Sequence, residues 1–229
     1  MKNILLLAGV SGSGKTMLET SMISSGFHRA ITSTTRTPRH GETNGVDYHF
    51  TTKDEMNRLN QEGKLVESAF VRGEIYGMTL DAFHEIFENN DRCYVVLEPQ
   101  GVLAYQNYFR DKVDYNVITV FLDCPLKEQE KRILSRLEPN FTDSQLFEVS
   151  KAIVSARNFE HHWNKMIDID VYHPFSKDGK DIDEIMQKID RLLDKQHAPV
   201  KEATISPSAY VPDEIEVLAV SKDIRSNKF

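Results

Sequence analysis

Ile4-Leu5-Leu6-Leu7 runs into Gly9-Val10-Ser11-Gly12-Ser13-Gly14-Lys15-Thr16, and that junction admits few architectures. The eight residues fill every fixed position of G-x-x-x-x-G-K-[ST], the phosphate-loop pattern. Its chemistry explains its spacing. Glycines let successive backbone N–H groups turn inward around an anion, and a helix starting near Lys15 aims its positive dipole end at the same point. Lys15 then reaches terminal phosphates, and the Thr16 hydroxyl suits Mg²⁺. A glycine- and serine-rich turn can be a mere connection, but this one follows an apolar strand pattern. It also precedes Met17-Leu18…Met22-Ile23 at helical spacing, as a nucleotide or phosphate site requires.

The chain has 229 residues, 40% of them hydrophobic, enough for one substantial core with insertions. A net charge of −7 argues against a dedicated nucleic-acid or anionic-membrane surface, since both need a basic face. Cys93 and Cys124 flank apolar runs and read as small buried hydrophobes, consistent with a reducing compartment. The N-terminus reads as a strand rather than a signal peptide, and no run has membrane-spanning length. The expectation is a cytoplasmic protein.

Periodicity places a helix over 15–25 closed by Gly26, then a strand over 29–34. The stretch Thr34-Thr35-Arg36-Thr37-Pro38-Arg39-His40-Gly41-Glu42 presents two guanidiniums around a rigid Pro38. It is a fork for a second phosphate or a solvated basic turn. A turn and strand over 44–50, a helix from Thr52 boxed by Glu55, and strands at 65–71 and 74–76 make a small, mostly β insertion. A helix at 80–89 leads to a buried strand, 93–97, with Glu98 at its carboxyl end, where open α/β sheets place ligands. A helix at 102–109, a strand at 117–122 and a helix at 126–137 follow, the last placing Arg132 and Arg136 on one face. A polar flap over 138–144, a long helix to about Trp163, a strand at 167–171 and a helix at 182–193 complete the alternation. The fold class is therefore α/β, a parallel sheet with helices on both faces. Residues 197–229, with Pro199, Pro207 and Pro212, read as a flexible or docked tail.

In order and spacing, the phosphate loop, T-T-R-T-P-R-H-G-E, N-G-V-D-Y-H-F at 44–50, L-V-E at 65–67, I-Y-G at 75–77 and E-P-Q-G at 98–101 resemble the guanylate kinase family. The resemblance implies a P-loop core over 1–33 and 79–196, a nucleoside-monophosphate-binding insertion over about 34–78 and a lid over about 132–157. It implies transfer of a phosphoryl group from Mg-ATP to a (deoxy)nucleoside monophosphate, with GMP or dGMP as leading acceptor, by a monomer or homodimer. Gly9, Ser11, Gly12, Ser13, Gly14, Lys15 and Thr16 would hold ATP, and Thr16 and Glu98 the metal. Arg36, Arg39, Tyr48 and Tyr76 would grip the acceptor phosphate, Glu98 would stand near the transferred group, and Lys15, Arg36, Glu98, Arg132 and Arg136 would form the catalytic set. Thr32, Glu67, Met78 and Val96 occupy the base-reading positions. Arg132 and Arg136 correspond to lid arginines.

Met78 stands where the family has a hydroxyl and Val96 where it has a carboxylate, while Thr32 stands for a frequent serine. Losing two polar partners weakens selection of guanine. The same chemistry on a pyrimidine or modified deoxynucleotide, or on a phosphosugar, is the alternative. Ala152 falls where the family has a further lid arginine, with Arg157 beyond it as a substitute. A guanylate-kinase-like protein-binding module is a reading of another class, and it expects a loop without Gly14-Lys15-Thr16.

Overall fold

The structure, a computed structural model, describes residues 1–39, 41–71, 73–137, 139–174, 181–194 and 213–226. The expected tail over 197–212 and at 227–229, and Glu138 at the head of the expected flap, lie outside the described residues. The apolar run that opens the chain forms β1 (Lys2–Gly9), which delivers the phosphate loop to α1 (Lys15–Ser24). The chain then makes β2 (His28–Arg29), β3 (Ser33–Thr34) and β4 (His49–Phe50), followed by α2 (Lys53–Gln61). Next come the hairpin of β5 (Leu65–Val71) and β6 (Glu74–Thr79), α3 (Leu80–Asn89), β7 (Arg92–Val96), α4 (Pro99–Phe109) and β8 (Tyr115–Leu122). The last part holds α5 (Leu126–Leu134), α6 (Asp143–Asn158), a 3₁₀ turn at Glu160–Lys165, β9 (Val171–His173), α7 (Ile182–Leu193) and α8 (Glu214–Arg225).

Five parallel strands in the order β2-β7-β1-β8-β9 form the main sheet, with β1 at its centre. Residues of β1 alternate between the two faces, as the pleat requires. Ile4, Leu6 and Ala8 pack with Phe83, Phe87, Tyr105 and Phe109 on one side. Leu5 and Leu7 pack with Leu18, Met22, Ile185 and Ile189 on the other. Both faces are covered, so strands of a parallel sheet can be apolar throughout. A second sheet, β4-β3-β6-β5, is the β part of the insertion. No helix among the described residues is long and apolar enough to cross a membrane.

Several expected boundaries move. The strand over 29–34 is two strands: Arg29 pairs with Tyr94 in the main sheet, whereas Ser33 and Thr34 pair with Gly77 and Tyr76 in the second. The chain changes sheets there, which a run of similar residues does not reveal. The strand expected at 167–171 begins only at Val171, because the Asp170 carboxylate takes the Thr119 N–H at 2.7 Å in place of a backbone carbonyl. Thr52 caps α2, but the Glu55 carboxylate turns to Arg58 instead of closing the box. The reciprocal box forms at Thr142 and Gln145, at the start of α6. Helix α5 stops at Leu134, so Arg136 lies in the turn beyond it rather than on a shared helical face.

Within the segment expected to be a flexible or docked tail, residues Glu214–Arg225 form a helix docked on α5 and α6. Val217, Val220 and Ile224 of α8 are buried with Ile133, Leu146, Val149 and Ile153 of α5 and α6. Ser221 Oγ–H donates to Ser150 Oγ at 2.7 Å, Asn158 Nδ2–H donates to Glu216 at 2.6 Å, and Arg225 pairs with Asp143. Helix α6 is thereby packed from both sides. A charge at Val220 must be desolvated or must detach α8, so Val220→Asp is expected to lower stability by about 1–3 kcal/mol. The change is read as a lower urea midpoint, and a midpoint equal to that of the parent chain would refute the packing role of α8.

Candidate active site

A cleft of about 560 Å³ opens at the carboxyl end of β1, between the main sheet, the insertion and α5. Its floor follows from two glycines. A Cβ on Gly9 would lie 2.4 Å from the Leu122 carbonyl oxygen, so only glycine lets the loop leave the sheet this close to β8. Gly14 has φ +100°, a left-handed turn that places the start of α1 against the loop. Helix α1 has no side-chain cap and no acidic residue in its first turn, whereas α2, α3 and α6 are capped by threonines. Its first amides therefore face the cleft as an anion site does.

Lys15 Nζ donates to the carbonyls of Gly9 at 2.7 Å and Val10 at 3.0 Å, curling back over the loop. The Ser13 hydroxyl is buried without a hydrogen-bond partner among the described residues, and a group with phosphate-like acceptors would satisfy it. Arg132 crosses from α5, its Nη1–H donating to the Gly12 carbonyl at 2.7 Å and its Nε–H to Glu128 at 3.3 Å. Arg136 borders the cleft from the turn after α5. Glu98 precedes Pro99 at the start of α4 and borders the cleft next to β1. Arg157 lies elsewhere, its Nε–H bonded to Glu130 of α5 at 2.5 Å.

At the opposite wall, Arg36 is 6% exposed and bound by both carboxylate oxygens of Glu42 at 2.9 Å. Burial works against its charge, but the bonds with Glu42 and the nearby Tyr76 raise its pKa above the ordinary value. Glu42 also accepts the Arg39 N–H at 2.6 Å, closing the turn around Pro38. The guanidinium sits 5.5 Å from the centre of the Tyr48 ring, and Tyr48 meets Tyr76 edge to face at 6.0 Å. Burial, with Tyr76 beside it, pushes the Tyr48 hydroxyl up to about 12, so it stays a donor at neutral pH. Lys15, Arg36, Arg39, Arg132 and Arg136 thus border one cleft in a chain of net charge −7.

Between these walls lie Thr32, Glu67, Val96, Gly77 and Gly101. Burial pushes the Glu67 carboxyl up to about 8, against a bond from the Met78 backbone N–H that lowers it. Met78 itself does not line the cleft. Its side chain is fully buried in the core, where the Tyr105 hydroxyl donates to its sulfur at 2.9 Å. An apolar thioether gains most by leaving water, so Met78 meets the site only through its backbone.

Three contacts were not read from the sequence. Glu42 was visible only as part of a motif, without its role as the partner of Arg36. Arg29 of β2 pairs with Glu19 of α1 at 3.4 Å and donates to the Asp47 carbonyl at 3.2 Å, joining core to insertion. Glu160 reaches the loop from 149 residues away, its Oε2 accepting the Ser11 N–H at 2.6 Å and its Oε1 the Ser11 hydroxyl at 3.1 Å. No local spacing signals such a contact.

The profile of the guanylate kinase family matches residues 1–196. The chain is 34% identical over 137 residues to the guanylate kinase of Bacillus subtilis (strain 168), a match spanning 58% of this chain and 65% of that one. It is 35% identical over 146 residues to the guanylate kinase of Schizosaccharomyces pombe, spanning 58% of this chain and 71% of that one. The crystal structure of guanylate kinase from Anaplasma phagocytophilum superposes with a TM-score of 0.59 at 20% identity, over 85% of this chain and 87% of that one. That structure shares the fold. One continuous match runs from the phosphate loop through the second sheet to α7, and the chain belongs to the guanylate kinase family.

Proposed function

We propose that this protein is a nucleoside monophosphate kinase that transfers the terminal phosphoryl group of ATP to a nucleoside monophosphate, with GMP or dGMP as leading acceptor. The observation that carries the reading is the placement of Lys15 and the first amides of α1 in the same cleft as Arg36, Arg39, Tyr48 and Tyr76. Two anionic molecules fit there, one on each wall. An oxygen of the acceptor phosphate attacks the terminal phosphorus of ATP, the bond to the bridging oxygen breaks, and ADP leaves with that electron pair.

The protein does little covalent work in such a transfer; it aligns the phosphates, offsets their charge and excludes water. Lys15 and the loop amides hold the donor, and Arg132 and Arg136 lie over it. Arg36, presented by Glu42, and Arg39 orient the acceptor with the two tyrosines. The Thr16 hydroxyl in the first turn of α1 and the Glu98 carboxylate after β7 would hold Mg²⁺, which takes hard oxygen donors. Mg²⁺ supplies neutralising charge on the phosphate oxygens when bound.

The base subsite favours a second reading of the acceptor. Guanine offers two adjacent N–H donors, which a carboxylate accepts, whereas the Glu67 carboxyl at about 8 is protonated at neutral pH. A protonated acid matches instead an N–H beside a carbonyl, an edge that uracil and thymine present and that guanine presents only on the side of its N1–H away from the amine, and Val96 presents no competing polar group.

Lys15→Ala is expected to lower the turnover number by at least roughly a hundredfold. Coupled detection of ADP release measures it, and turnover near that of the parent chain would refute the mechanism. With GMP held through its two adjacent N–H groups, binding requires the Glu67 carboxylate, so KM falls by roughly tenfold per unit as pH rises toward 8 and levels off above. With dTMP or UMP the neutral acid is the competent form, and KM rises as pH passes 8. Steady-state assays of these monophosphates from pH 6.5 to 9 decide between the two acceptors, and a flat profile for all would remove Glu67 from base recognition.

A further inference from the structure

The phosphate loop is held from outside by two residues of the lid side, with opposite polarity. Arg132 of α5 donates to the Gly12 carbonyl, while Glu160 accepts both the N–H and the hydroxyl of Ser11, the preceding residue. Glu160 has no solvent exposure and stands one residue past the end cap of α6, at the head of the 3₁₀ turn. A carboxylate beside an anion site opposes phosphate by charge, so its contribution there lies in geometry. A buried hydrogen bond to a charged acceptor is of the strong kind, and losing the acceptor leaves the Ser11 amide without its partner.

We propose that Glu160 is a positioning residue for the donor site: it locks the Ser11 turn of the phosphate loop in its anion-accepting shape and ties the base of α6 to it. This rests on the reading of the loop as the ATP site. Two hydrogen bonds of Glu160 thereby couple the 3₁₀ turn after α6 to the phosphate loop.

The test is calorimetry of the full chain with a non-hydrolysable ATP analogue and Mg²⁺, and separately with GMP. Glu160→Ala is expected to weaken the analogue by roughly tenfold, the scale of one charged hydrogen bond, and to leave GMP binding within about twofold. Glu160→Gln keeps an oxygen for the Ser11 N–H and a donor for its hydroxyl, and is expected to restore analogue affinity to within about threefold of the parent. In turnover the loss from Glu160→Ala falls on KM for ATP more than on kcat. Parent-like analogue binding by Glu160→Ala would overturn the proposal. So would equal weakening of both nucleotides, which marks general loosening, or a glutamine variant no better than alanine. An analogue that fails to bind the parent chain at all would instead sink the ATP-site reading, and this proposal with it.

Discussion

The pairing of β1 between β7 and β8 decides where Lys15, Glu98 and Arg132 of the cleft can stand. Backbone hydrogen bonds on both edges hold β1 in register from Lys2 to Gly9, and the contact of Gly9 with Leu122 lets the loop emerge without a side chain in the way. Glu98 leaves the neighbouring strand at the same level, and α5 follows β8 directly, bringing Arg132 over Gly12. The loop's position is thus a property of the sheet, and the sheet is held by apolar layers on both faces.

The electrostatics around Arg36, Tyr48 and Tyr76 follow from scarcity of water. Arg36 is nearly buried, and a lone guanidinium there would lose its hydration without return. Glu42 offsets that loss and, by holding both terminal nitrogens, fixes the plane of the fork. The same desolvation raises the Glu67 carboxyl, which has no such ion-pair partner among the described residues, and its proton is retained to about 8. Burial disfavours charge on both groups, and only Arg36, with Glu42 against it, keeps its charge.

The phosphate loop and the alternating strands and helices were legible because each is a local pattern. Helix α3 at 80–89 and helix α7 at 182–193 have the bounds that their periodicity implied. What local pattern hides is the choice of partner. Residues 29–34 read as one strand, yet the two sheets divide them. Met78 sits in a strand that borders the cleft, but its side chain belongs to the core. Glu160 carries no sequence mark because its role is defined by Ser11, far away in the chain. Helix α8 was missed for a related reason: its three buried positions form a narrow stripe that means little until α6 is there to receive it.

That last helix changes what supports the cleft on the side of Arg132. Segments that border a site commonly belong to the least protected part of a fold, because they have few buried contacts. Here α5, α6 and α8 share an apolar interior of their own, so peeling away any one of them uncovers the apolar faces of the other two.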